Sequence, residues 1–102
     1  MTEWAFLTNH ALVLMCLAES PLITAIDVAD SVGITERATR KIIADLEEAG
    51  YIDKAKEGRR VRYSVQSEML LRGGSVHDTA IGELLKTLGW KQILPPEKPL
   101  SL

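Results

Sequence analysis

Cysteine is nearly absent from this chain: Cys16 stands alone among 102 residues, so no intramolecular disulfide can staple the fold. The same scarcity argues against a metal centre. A structural zinc site draws on about four Cys or His ligands at short spacings, and beyond Cys16 the chain offers only the distant His10 and His77. Cys16 lies in an apolar run and reads as core, and the two histidines read as surface. No base stands near Cys16 to lower its pKa, so a peroxide-sensing thiol is not expected. Gly-rich phosphate loops, paired carboxylates beside a base and a nucleophile next to histidine are also missing, which points away from an enzyme and from any bound cofactor.

A long hydrophobic run is lacking as well. The most apolar stretch, residues 11–18, is far too short to span a bilayer, and Glu3 rather than a base precedes it, unlike a signal-peptide core. It reads as a buried helix, and the lone cysteine fits a reducing cytoplasm. With 46% hydrophobic and 25% charged residues the composition is that of one small globular domain with a single core.

Positive charge is missing from the first third. Residues 1–34 hold four acids and no Lys or Arg, whereas residues 35–62 hold eight bases and six acids. The formal net charge of −2 therefore hides a local basic region, and local asymmetry bears more on a polyanionic partner than the sum does.

What is present is punctuated with care. Thr8 or Asn9 can cap a first helix reaching to about Glu19, apolar nearly all round and ended by Pro21. Leu22-Ile23 is long enough only for a bridge, a candidate third strand beside a hairpin. Thr24 with Asp27 forms a capping-box pattern for a second helix over 24–32, with Ile26, Val28, Ala29 and Val32 as its inward stripe. Gly33 occupies the left-handed stop and Thr35 caps the next helix within two residues. So short a connection packs the two helices steeply across each other, and small Ala29 suits the crossing.

The helix over 35–49 places Ala38, Ile42, Ile43, Leu46 and Ala49 on an apolar stripe and Arg37, Arg40, Lys41 and Ala44 on the opposite face. Its bases cluster near the N-terminus and Glu47 and Glu48 near the C-terminus. That order opposes the helix dipole at a cost of a few tenths to about 1 kcal/mol per charge, so helix stability alone does not explain it. Gly50 ends the helix. A strand from Tyr51, a charged tip over 54–58 and a second strand from Arg59 follow. Arg60, Arg62 and Ser64 alternate there with Val61, Tyr63 and Val65, so one face packs and the other presents guanidiniums.

Beyond Gln66, residues 67–71 read as a brief helical turn and 72–75 as a break. Asp78 is a candidate cap for a last amphipathic helix over 79–88, before an extended, proline-containing tail over 91–102. Trp4, Phe6, Leu84, Leu85, Leu88 and Trp90 form an apolar group that reads as core or dimer interface rather than a cofactor pocket.

The run from Asp27 to Thr35, the run from Leu46 to Ile52 and the basic hairpin after them resemble the winged helix-turn-helix transcriptional regulators, nearest the MarR-type and ArsR-type groups. The resemblance implies a mainly α fold with a small β-hairpin: a winged helix-turn-helix domain over 8–66, a C-terminal helical extension over 67–90 and the tail. It implies that the helix over 35–49 enters the major groove of double-stranded DNA and that the wing over 51–65 lies along the adjacent backbone or minor groove. Thr35, Arg37, Arg40 and Lys41 would meet DNA from the helix, and Arg59, Arg60 and Arg62 from the wing. It further implies a homodimer, here through the flanking segments 4–19 and 78–88. No segment corresponds to a small-molecule effector site. The competing class is a winged-helix protein-interaction module, which calls for an apolar or acidic helix face and a neutral wing. Both are basic here.

Overall fold

The computed structural model describes residues 5–72 and 79–90. Four helices and a hairpin follow in the order α1 (Asn9–Glu19), α2 (Ala25–Val32), α3 (Glu36–Glu48), β1 (Ile52–Glu57), β2 (Arg60–Val65) and α4 (Ile81–Thr87). This is the expected winged helix-turn-helix, mainly α with one antiparallel hairpin.

Each of the first three helices starts on a threonine whose hydroxyl accepts an amide hydrogen bond. Thr8 accepts from Ala11, Thr24 from Asp27 and Thr35 from Ala38, at 3.2, 3.1 and 3.0 Å. Each cap answers one of the four donors a helix start leaves open. Thr8 rather than Asn9 is therefore the first cap. At Thr24 the hydroxyl half of the expected box forms. A returning bond from the Asp27 carboxylate is not made among the described residues.

The stops are equally local. Gly33 (φ 86) and Gly50 (φ 90) take the left-handed conformation that side chains with a Cβ resist. After α3 the Gly50 amide bonds the Glu47 carbonyl and the Tyr51 amide the Leu46 carbonyl, at 3.1 and 2.9 Å. That is the Schellman arrangement, sealed by the buried side chains of Leu46 and Tyr51.

Two stripes hold except at one position each. On α2 the buried residues are Ala25, Val28 and Ala29, and Ile26 is 54% exposed. On α3 they are Thr39, Ile42, Ile43 and Leu46, while Ala38 is exposed. In both helices the inward residues keep the i, i+3, i+4, i+7 spacing that Ile26 and Ala38 break: Ala25, Val28, Ala29 and Val32 on one, Thr39, Ile42, Ile43 and Leu46 on the other. On α3 a polar residue is admitted because its hydrogen bond is met. Thr39 meets the condition by donating its hydroxyl to the Thr35 carbonyl at 2.9 Å.

One core unites the elements. Val13, Leu14 and Leu17 of α1 meet Val28, Ile42, Ile43, Leu46, Ile52, Ile81 and Leu85. Every residue of the 11–18 run is buried or half-buried, as its all-round apolarity predicts. Leu84 and Trp90 pack partly against this core, and the Trp90 indole donates to the Ala18 carbonyl at 3.1 Å. Phe6 stands outside it at 90% exposure, and Trp4 lies outside the described residues.

The hairpin pairs Ile52 with Val65 through Glu57 with Arg60, leaving the two-residue loop Gly58-Arg59. The strand thus runs through residues 54–57, which the sequence assigned to the tip. A two-residue turn with a positive-φ glycine first matches the twist of the strands and lets the ladder close to its end. Pro21 meets the sheet through one bond, its carbonyl accepting from the Tyr63 amide at 2.9 Å. Among the described residues the sheet keeps two strands, and 22–23 adds no third.

The segment after the wing makes a single turn, the Met69 amide donating to the Gln66 carbonyl at 3.0 Å, and then leaves the predicted helical path. Leu70 bridges Ala80, and the Ile81 and Gly82 amides donate to the Met69 and Ser67 carbonyls at 2.6 and 2.7 Å. Those carbonyls cap α4, which starts at residue 81 rather than 79. Asp78 and the tail over 91–102 lie outside the described residues. Gly82 is required by this approach, because a Cβ there would stand 2.8 Å from both the Ser67 Cβ and its carbonyl oxygen. Helix propensity alone would make Gly82→Ala stabilising by about 1 kcal/mol. The overlap reverses the sign, and urea denaturation is expected to show a loss of about 1–3 kcal/mol.

Candidate nucleic-acid interface

Because Thr39, Ile42, Ile43 and Leu46 turn inward, Arg37, Ala38, Arg40, Lys41 and Ala44 face outward and all are exposed. Thr35, committed by its hydroxyl to the cap, stands at the exposed start of the same helix. Arg37 has no hydrogen-bond or ion-pair partner among the described residues. Arg40 does: its Nε and Nη2 both donate to Glu36 Oε2, at 2.9 and 2.6 Å, one turn back on α3. Lys41 reaches Asp45 Oδ1 at 3.5 Å, and the other oxygen of Asp45 meets His10 Nε2 of α1 at 2.9 Å.

The wing sorts its charges by register. Residues directly opposite in an antiparallel pair share a face. Arg60, Arg62 and Ser64 therefore share theirs with Glu57, Ala55 and Asp53. The guanidinium face thus carries two acids. Glu57 holds Arg62 by a fork, with Nε to Oε2 at 2.6 Å and Nη2 to Oε1 at 3.3 Å. Asp53 accepts instead from the Gln66 amide at 3.1 Å. Arg60 and the loop residue Arg59 are left without a partner among the described residues.

The opposite face carries Lys54 and Lys56 beside Tyr63 and Val61. Lys54 spans to Glu47 of α3 at 3.5 Å, which ties the wing to that helix. Lys56 is exposed, has no partner among the described residues and stands outside the predicted set of contacts. Its signal is the strand period itself, which places 54 and 56 together once the strand is carried to Glu57. Of the seven predicted residues, Arg37, Arg59 and Arg60 hold open cations. Arg40, Lys41 and Arg62 hold cations already paired, and Thr35 is a cap.

The remaining chemistry is quiet. Burial pushes the Cys16 thiol up, and Glu19 nearby adds to it, so the nucleophilic thiolate is scarce. Among the described residues no group of three or more His, Cys, Asp or Glu could hold a metal ion, and no helix is long and apolar enough to cross a membrane. A groove of about 790 Å³ lies between α1, the end of α3 and α4, floored by Leu14, Leu46, Tyr51 and Ile81. None of the predicted contact residues lines it.

This geometry defines a winged helix-turn-helix with an outward, basic face on the second helix of the motif. Comparison with known proteins agrees. Residues 10–53 match the family model for winged helix-turn-helix DNA-binding domains. The fold is similar to the crystal structure of a predicted DNA-binding transcriptional regulator from E. coli, at 24% identity and a TM-score of 0.57, over 76% of this chain and 70% of that one. No curated protein matches. The chain therefore has the winged helix-turn-helix fold.

Acid should loosen the ties around this face. The His10 hydrogen bond holds the Asp45 carboxyl below its ordinary value against a smaller opposing effect of burial, with Lys41 adding to the lowering. The Arg62 fork does the same for Glu57. A lowered folded-state pKa contributes stability above the unfolded value, near about pH 4, and that contribution is lost as pH falls through the folded value. Urea midpoints measured from pH 7 to pH 2 are expected to fall less for Asp45→Asn/Glu57→Gln than for the wild type.

Proposed function

We propose that the protein is a sequence-specific transcriptional regulator of the MarR-type and ArsR-type kind, acting in the cytoplasm on double-stranded DNA. The observation that carries this reading is the outward face of α3. Arg37 is open at the N-terminal end of a helix capped at both ends, and the wing brings Arg59 and Arg60 as further open cations. The description of the matched family and that of the E. coli protein support it.

In this reading the helix over 35–49 enters the major groove. Arg37 and Arg40 address guanine edges by bidentate bonds, each worth roughly 1–3 kcal/mol of discrimination. Thr35, Lys41, Arg59, Arg60 and Arg62 meet phosphates, which set affinity and salt dependence rather than sequence. The extension over 67–90, together with the N-terminal helix, forms a homodimer that reads two half-sites about 34 Å apart, one turn of the duplex. No catalytic step enters this reading.

Selection from a random duplex library at two salt concentrations tests it. The wild type is expected to enrich two inverted half-sites. Arg37→Ala/Arg40→Ala is expected to lose that consensus and keep weak, salt-sensitive binding. Enrichment of no duplex by the wild type would overturn the reading and favour a winged-helix module that binds protein.

A further inference from the structure

The ion pairs on the basic face are not evenly spread. Glu36 takes both the Nε and Nη2 of Arg40, at 2.9 and 2.6 Å. Glu57 faces Arg60 across the ladder yet bonds Arg62, at 2.6 and 3.3 Å. Each acid therefore occupies the Nε/Nη2 edge of its guanidinium, one of the two edges a phosphate or a guanine can use. Each also lies next to an arginine left open: Arg37 follows Glu36, and Arg60 is the strand partner of Glu57. The face is built as two open arginines beside two closed ones.

Helix stability accounts for a Glu at the first turn and an i, i+4 pair. It does not account for Glu57, which lies on a strand and repeats the same arrangement. A carboxylate at both positions also repels phosphate, which a surface selected for tight general binding would avoid.

We propose that Glu36 and Glu57 are specificity-determining residues that keep Arg40 and Arg62 closed on non-cognate DNA. This rests on the DNA-binding reading above. A duplex of any sequence is engaged by the open cations Arg37, Lys56, Arg59 and Arg60. Arg40 leaves its carboxylate only where a matched site presents a guanine edge, and Arg62 leaves its own only once that docking seats the wing against a phosphate. Exposed pairs of this kind are weak, so opening one lowers affinity by about two- to five-fold. That is too little to prevent specific binding and enough to thin out binding at the far more numerous wrong sites.

The test is the salt dependence of binding to a non-cognate duplex and to the selected consensus. Variants are the full chain with Glu36→Gln or Glu57→Gln, and charge-matched controls Glu48→Gln and Asp53→Asn. Neither control acid bonds an arginine among the described residues, and Asp53 shares the wing face of Glu57. Circular dichroism confirms that each variant is folded. Released arginines are expected to tighten non-cognate binding about two- to five-fold each. The slope of log K against log salt should deepen by about 0.9 for each added phosphate contact. Consensus binding should move less, so the ratio between the two falls. Equal effects of Glu57→Gln and Asp53→Asn, and of Glu36→Gln and Glu48→Gln, would reduce the acids to net charge and overturn the proposal while DNA binding stands. Absence of duplex binding by the wild type would overturn both.

Discussion

Burial of α3 along Thr39, Ile42, Ile43 and Leu46 sets the direction of every side chain discussed above, because a helix clamped on one stripe has no freedom to rotate. The clamp is complete at both ends. Thr35 closes the first turn, and the Gly50 and Tyr51 amides close the last, with Tyr51 buried against the same core. With the rotation fixed, Arg37, Ala38, Arg40 and Lys41 face outward without any contact of their own to hold them there. Burial of Tyr51 and Ile52 in the core then places the wing with respect to the same helix. Basic side chains from two elements are in this way presented on one rigid frame.

Electrostatics on this frame contribute little to stability. The ion pairs lie on the surface, where such pairs contribute about 0–1 kcal/mol each, and the core needs none of them. Their effect is to divide the arginines into open and closed. The fold makes that division by geometry: an i+4 step closes Arg40, and a diagonal step across the hairpin closes Arg62. A net charge of −2 is compatible with DNA binding because the open cations Arg37, Lys56, Arg59 and Arg60 belong to α3 and the hairpin, away from the acidic first third of the chain.

Much of this architecture was legible in the sequence, for identifiable reasons. Threonine caps, Gly33, Gly50 and the alternation of 60–65 are local signals whose physics involves a few neighbouring residues, and the structure follows them. The errors lie where a distant partner intervenes. Ala38 and Thr39 are the exception, a local one: Thr39 takes the inward place because its hydroxyl has a backbone acceptor at Thr35, one turn back. The start of α4 moves because the carbonyls of Ser67 and Met69 supply caps from another part of the chain. Among the candidate contacts, the sequence identified the cations and could not tell which were paired. Glu36 with Arg40 is an i, i+4 relation that sequence can suggest, whereas Glu57 with Arg62 depends on the hairpin register. Lys56 was overlooked for the same reason, since its face is defined only once the ladder is known to reach Glu57.

The central claim is that the N-terminal face of α3 and the tip of the wing are where a duplex lands. Amide and arginine side-chain NMR shifts followed during titration with a short duplex address it most directly. The account predicts that the largest changes fall on residues 35–41 and 56–60, with the core of α1 and the groove beside Tyr51 and Ile81 little affected. Changes centred on that groove, or none on α3 while the wing alone responds, would contradict it.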